Sequence, residues 1–168
     1  MIDQPRILPR KLYSDERGYF TEQFRKSDWD VDFVQDNLSF SKKGVLRGLH
    51  HQRVVPQGKI VTVISGEVQD VVIDIRKKSD TFGVVRSFDI REGESLWVPP
   101  GFLHGFLTLE DTMFMYKCTD YYSPEHEVTV NVFDPDLSIK WKLNKDEVIC
   151  SEKDLSGISY NEVISWDE

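Results

Sequence analysis

Apolar residues fall in short runs along this chain, broken by Gly, Pro and charged turn signals, and no run sustains a helical period. The runs cover residues 17–24, 32–37, 45–52, 59–64, 68–75, 95–98, 102–109, 113–118 and 128–133. Turns are marked by Lys42-Lys43-Gly44, Ser65-Gly66-Glu67, Arg91-Glu92-Gly93-Glu94, Pro99-Pro100-Gly101 and Glu110-Asp111-Thr112. In 68–75, Val71, Ile73 and Ile75 share one face of an extended chain, with Asp70 and Asp74 on the other. Short strands at regular intervals with such turns predict an all-β sandwich or barrel. Helix is expected only around Arg25–Trp29 and in the tail. The pattern shows no linker, repeat or low-complexity tract, so residues 1–168 are expected to form one domain.

The run Val45-Leu46-Arg47-Gly48-Leu49-His50-His51-Gln52 carries the first chemical signal. Regular alternation puts Leu46, Gly48 and His50 on one face and Arg47, Leu49 and His51 on the other. A strand-end imidazole near a guanidinium reads equally as a walled site for an anion or as a solvated strand end. The net charge of −8 argues against nucleic acid, which needs a clustered basic surface. It leaves room for a small anionic ligand held by a few converging arginines and lysines. Cys118 and Cys150 make no disulfide framework and lack zinc spacing, which suits a reducing interior. With no long apolar run and no leader pattern, a cytoplasmic, non-membrane protein is expected.

Gly48…His50 and Pro99-Pro100-Gly101-Phe102-Leu103-His104 together resemble the two-motif signature of the cupin barrels. Metal-binding cupins supply His-x-His and a later Glu from the first motif, and one His from the second. Here Gln52 follows His50 at the second ligand position, and no Glu lies between His50 and Gly66. His51 would point to the opposite face, and His126 sits in a polar turn. Two credible imidazoles fall short of the usual three protein ligands, so no metal is expected.

The motifs extend further. Asp15-Glu16-Arg17-Gly18-Tyr19-Phe20, Phe33-Val34-Gln35-Asp36-Asn37, Val45–His50, Gln57-Gly58-Lys59, Gly66-Glu67-Val68, Asp74-Ile75-Arg76, Pro99–Phe106 and Tyr116-Lys117 with Asp120-Tyr121-Tyr122 follow in order. In that order they resemble the dTDP-4-dehydrorhamnose 3,5-epimerase family, from about Asp15 to Asp154. The resemblance implies a cupin-type jelly-roll β-barrel with a few short helices, dimerising by exchange of N-terminal strands. It implies an isomerase acting at C3 and/or C5 of a nucleoside-diphosphate-linked 4-keto-6-deoxyhexose, with no metal or redox cofactor. The C4 carbonyl acidifies both hydrogens, so the reaction needs a base, an acid on the other face and a cation for the enolate.

By the same resemblance His50 is the base, Asp154 its partner, Tyr116 the residue returning the proton, and Lys59 the cation near the C4 oxygen. Arg17 and Arg47 would grip the diphosphate, Arg17 reaching across the dimer. Phe20 and one of Tyr121 or Tyr122, with Tyr122 preferred, would sandwich the nucleobase, while Glu22, Gln35 and Asn37 bond to base or sugar. His104 would line the cavity, and Lys153, beside Asp154, would contact the substrate. Taken without the resemblance, Asp154 reads as a surface loop acid, Lys59 as a solvated strand start and Tyr116 as a core tyrosine.

His51, Leu38, Gln69 and the stretch Ile139-Lys140-Trp141-Lys142 depart from the usual pattern. Three other readings compete. A single-site epimerase would keep nearly the same catalytic set. A non-catalytic sugar-nucleotide-binding cupin would keep Arg17 and Arg47 without needing His50, Lys59, Tyr116 and Asp154 together. A metal-dependent cupin lacks its ligands.

Overall fold

Glycine- and proline-containing turns end the strands close to where the pattern predicts. The computed structural model describes residues 3–166. In chain order the strands are β1 (Arg6–Ile7), β2 (Tyr13–Asp15), β3 (Gly18–Phe20), β4 (Gln35–Ser41), β5 (Val45–Gln52), β6 (Lys59–Ser65) and β7 (Glu67–Asp74). They continue with β8 (Val85–Arg91), β9 (Ser95–Val98), β10 (Phe102–Thr108), β11 (Thr112–Cys118), β12 (Glu127–Thr129) and β13 (Ile149–Cys150). Two short helices close the chain, α1 (Glu152–Leu155) and α2 (Tyr160–Ile164). Among the described residues no helix is long and apolar enough to cross a membrane.

The differences from expectation are local. The helix sought near Arg25–Trp29 is a single 3-10 turn, Lys26–Asp28. The run at 17–24 shortens to β3, which among the described residues pairs only with β2. The run at 128–133 is strand only to Thr129, beyond which Val130 makes one isolated bridge to Ile158. Strand β8 has no counterpart among the predicted runs, because its Arg86, Ser87, Asp89 and Arg91 dilute the apolar signal of an edge strand.

One sheet runs β1-β9-β6-β11-β4 and the other β12-β5-β10-β7-β8, with β13 parallel to β5. Their inner faces enclose Val61, Val63, Val72, Ile90, Leu96, Phe106 and Phe114. On its outer face the second sheet packs Leu46, Leu49, Val71, Ile73, Leu103 and Leu107 against Val130, Val132, Leu137, Tyr160 and Val163 of the C-terminal segment. Strand β7 is therefore buried on both faces, and each such apolar side chain contributes roughly 1.5–3 kcal/mol. Buried Gln69 ties the sheet to the departing 139–142 stretch. It donates to Ser87 Oγ and the Lys140 carbonyl and accepts from Lys142 N–H.

Strand β5 corrects the simple alternation. His50 pairs with His104 and Arg47 with Phe106, so Gly48 and Leu49 stand opposite Gly105 alone. This is a β-bulge, and the extra residue resets the pleat. Arg47 and His50 both face the barrel interior, while Leu46 and Leu49 both face the outer core. Gly48 has φ of +128°, and a Cβ there would lie 2.5 Å from Gly105 Cα. A Cβ on Gly105 would in turn lie 2.8 Å from the Arg47 carbonyl oxygen. Only glycine fits either side of this contact.

Candidate active site

The barrel interior is packed in part by the inner core and elsewhere leaves a cavity of about 320 Å³. Gln35, Asn37, Arg47, His50, Lys59, His104, Tyr116 and Tyr122 all line it. His50 Nε2 donates to Asp154 Oδ1 at 2.7 Å, and Gly48 N–H reaches the other carboxylate oxygen at 3.4 Å. Asp154 is only 4% exposed and sits in the first turn of α1, where its own N–H donates to Ser151 Oγ. Burial would raise its carboxyl, but the bond and charge of His50, with Gly48 and Ser151, outweigh it and hold the group below the usual aspartate range. With Nε2 committed to an ionised carboxylate, Nδ1 is the basic nitrogen.

A second pair stands beside the first. His104, directly across the ladder from His50, donates from Nε2 to Asp70 Oδ2 at 2.8 Å. Asp70 is fully buried, and its other oxygen has no partner among the described residues. Burial pushes its carboxyl up, with His104 and Lys59 opposing.

On the facing wall, Tyr116 and Lys59 come from β11 and β6 of the first sheet, with the Lys59 Nζ 5.9 Å from the Tyr116 ring centre. Tyr116 shares its strand face with Phe114 and Cys118, as the alternation predicts, and all three line the cavity. Burial lowers the Lys59 ammonium from the ordinary lysine range, partly offset by Cys118, Glu127 and Asp70. Burial raises the Tyr116 phenol, which therefore keeps its proton near neutrality. A proton acceptor and a proton donor thus face one another across one cavity, with a cation beside the donor.

The cavity mouth is polar. Gln35 donates to Asn37 Oδ1 and accepts from Tyr122 N–H at 2.9 Å. Arg47 donates from Nε to Ser41 Oγ. Glu127, which the sequence reading misses, accepts from the Tyr122 hydroxyl at 3.0 Å and pairs with Lys153. Its only sequence signal is its position beside the polar Ser-Pro-Glu-His turn. Gln52, Gln57 and Cys118 are further lining residues that were not singled out as site residues. His51, expected on the face opposite His50, also borders the cavity, with its Nδ1 3.3 Å from the Phe102 carbonyl and its ring stacked on Trp166. Burial lowers its pKa to about 4, against the Phe102 bond.

Apart from Asp154, which is bonded to His50, four expected residues do not line this cavity within the chain, Lys153, paired with Glu127, among them. Arg17 lies on the β2–β3 hairpin and pairs with Asp15, Phe20 is 68% exposed, and Glu22 pairs with Arg25. Among the described residues, no group of three or more His, Cys, Asp or Glu side chains is arranged to hold a metal.

These features define a cupin barrel whose cavity carries a hydrogen-bonded histidine–aspartate pair facing a tyrosine and a lysine. Residues 1–162 match the family model described as dTDP-4-dehydrorhamnose 3,5-epimerase, and the chain belongs to that family. A relative of that name from Methanothermobacter thermautotrophicus is 48% identical over 163 residues, covering 91% of this chain and 88% of its own. The crystal structure of dTDP-6-deoxy-D-glucose-3,5-epimerase from Legionella pneumophila, in complex with dTDP-4-keto-L-rhamnose, superposes with a TM-score of 0.89. It is 44% identical, over 95% of this chain and 89% of that one. A 3'-monoepimerase from Streptomyces bikiniensis in complex with dTDP-quinovose superposes at 0.84, with 30% identity over 92% of this chain and 83% of that one.

Proposed function

We propose that the chain, acting as a single domain, epimerises a nucleoside-diphosphate-linked 4-keto-6-deoxyhexose at C3 and C5, of the dTDP-4-keto-6-deoxyglucose to dTDP-4-keto-L-rhamnose type. The observation that carries this reading is the meeting of His50–Asp154, Lys59 and Tyr116 around one cavity. His50 Nδ1 takes the C–H proton and Asp154 stabilises the imidazolium that forms. The electron pair moves onto the C4 oxygen, where the Lys59 ammonium favours the enolate. Tyr116 returns a proton to carbon from the other side, and both groups re-equilibrate with solvent. Base and acid stand on different sheets, so a sugar between them meets one on each face. The ketone itself supplies the acidity, so the step calls for no metal or redox cofactor.

Arg47 takes the diphosphate, since a guanidinium fork suits phosphate oxygens. Gln35, Asn37, Tyr122 and Lys153 serve the nucleotide end, and His104 contacts the sugar. Arg17, Phe20 and Glu22 act in a homodimer, each hairpin serving the partner's cavity. Its isolation from the barrel sheets and the exposure of Tyr19 and Phe20 support that arrangement. A nucleotide-sugar substrate supports a cytoplasmic setting. Greater identity to the 3,5-epimerases than to the 3'-monoepimerase supports inversion at both carbons.

The test is product stereochemistry by NMR after incubation with dTDP-4-keto-6-deoxyglucose, with and without EDTA. Inversion at C3 and C5, unchanged by EDTA, is expected. Inversion at one carbon sinks the double reaction, and loss of turnover on chelation sinks the metal-free step.

A further inference from the structure

Gln52 occupies the position two after His50, where metal-binding cupins carry a ligand, and nothing in the proposed chemistry uses it. It is 5% exposed and its amide is fully committed. Nε2 donates to the Val55 carbonyl at 2.7 Å and to the Tyr121 carbonyl at 3.1 Å. Oε1 accepts from Ser123 N–H at 2.8 Å. The two carbonyls can only accept and the N–H can only donate, so this amide orientation alone satisfies all three. The partners belong to the two loops at the cavity mouth, 53–58 and 119–123.

The residue between the two bonded peptide groups is Tyr122. Gln52 holds the chain immediately before and after it, Gln35 holds its N–H, and Glu127 holds its hydroxyl. Glu127 is also the cross-strand neighbour of Gln52. Strand β5 thus carries His50 and, two residues on, the side chain that anchors Tyr122.

We infer that Gln52 is a positioning residue that fixes the Tyr122 ring for stacking on the nucleobase. This rests on the reading of Tyr122 as a nucleobase contact. Substituting Gln52→Glu keeps shape and the bond from Ser123 but turns both donations into contacts between oxygens. Gln52→Met keeps length and removes all three bonds, and it carries the same comparison should the charged variant fail to fold.

The experiment is titration of dTDP into wild type, Gln52→Glu, Gln52→Met, Tyr122→Ala and the double variants, with kcat and KM alongside. Each Gln52 variant is expected to raise the dTDP Kd and the KM about tenfold while kcat stays within about twofold, the signature of lost binding rather than lost chemistry. In the Tyr122→Ala background the Gln52 changes are expected to have no further effect, because residues acting as one unit are not additive. An equal tenfold loss in that background overturns the inference. So does an unchanged Kd in the Gln52 variants when Tyr122→Ala binds weakly, whatever the melting temperature does. Unchanged dTDP binding in Tyr122→Ala overturns the nucleobase contact itself, and the role of Gln52 with it.

Discussion

At His50, Nε2 is held by Asp154, and in the proposed reaction Nδ1 takes the proton. Replacing Asp154 with Asn permits the wrong tautomer and gives up the charge that stabilises the imidazolium. We predict a fall in kcat of roughly 10²–10⁴-fold with little change in KM, by analogy with other histidine–carboxylate pairs, read by steady-state kinetics. Tyr116→Phe should let the substrate exchange protons with solvent while inversion fails; equal loss of both would argue against a separate acid. His51 affects stability. Its pKa is about 4 in the folded chain against 6.5 unperturbed, so the unfolded chain binds the extra proton between those values. Its contribution is complete above pH 6.5 and is lost as pH falls toward 4, to a total of ~3 kcal/mol. His51→Phe should flatten the denaturation midpoint over that window, and an unchanged acid limb would contradict this. Strand alternation made the shared face of Tyr116, Phe114 and Cys118 legible. The His50–Asp154 contact spans 104 positions, and no local pattern encodes it.

Among the elements, β5 determines which residues reach the cavity. Its alternation was legible as a strand but not as a bulged one, because the bulge is a property of the β5–β10 pair. Two glycines, Gly48 and Gly105, allow the close approach. A Gly48→Ala change meets both a positive φ and backbone at 2.5 Å. We predict a loss of about 1–3 kcal/mol, measured by urea denaturation, and a larger loss of activity because His50 is displaced from Asp154. A variant with full stability and full activity would show that the bulge is dispensable. Strand β8 stayed hidden because an edge strand needs only one apolar face, and here that face is little more than Phe88 and Ile90. Gln69 looked like an unfamiliar residue and proves to be a clamp on 140–142. Gln69→Leu strands three backbone and side-chain groups and should cost about 1–3 kcal/mol, seen as a lower denaturation midpoint with dTDP binding unchanged.

On the scale of the whole molecule, the barrel with His50, Asp154, Tyr116 and Lys59 lies within one chain, whereas Arg17 and Phe20 lie on the β2–β3 hairpin and Glu22 just after it, apart from the cavity. The sequence order of motifs could not show this, since adjacency in a signature says nothing about which copy of a chain supplies a residue. If the hairpin serves the partner's cavity, two inactive variants should rescue each other. Co-expressed His50→Ala and Arg17→Ala chains form mixed dimers in which one cavity has both native residues, giving about a quarter of wild-type activity for random pairing. No recovery, with mixed dimers present, would place the hairpin's action within its own chain. The most direct test of the central reading is deuterium incorporation from D₂O into dTDP-4-keto-6-deoxyglucose, followed by NMR, for wild type and His50→Ala. Label at both C3 and C5 in the wild type, and at neither carbon in His50→Ala, is predicted. Undiminished labelling in the variant would contradict His50 as the base, and a wild type that binds dTDP but labels neither carbon would contradict epimerisation of this substrate altogether.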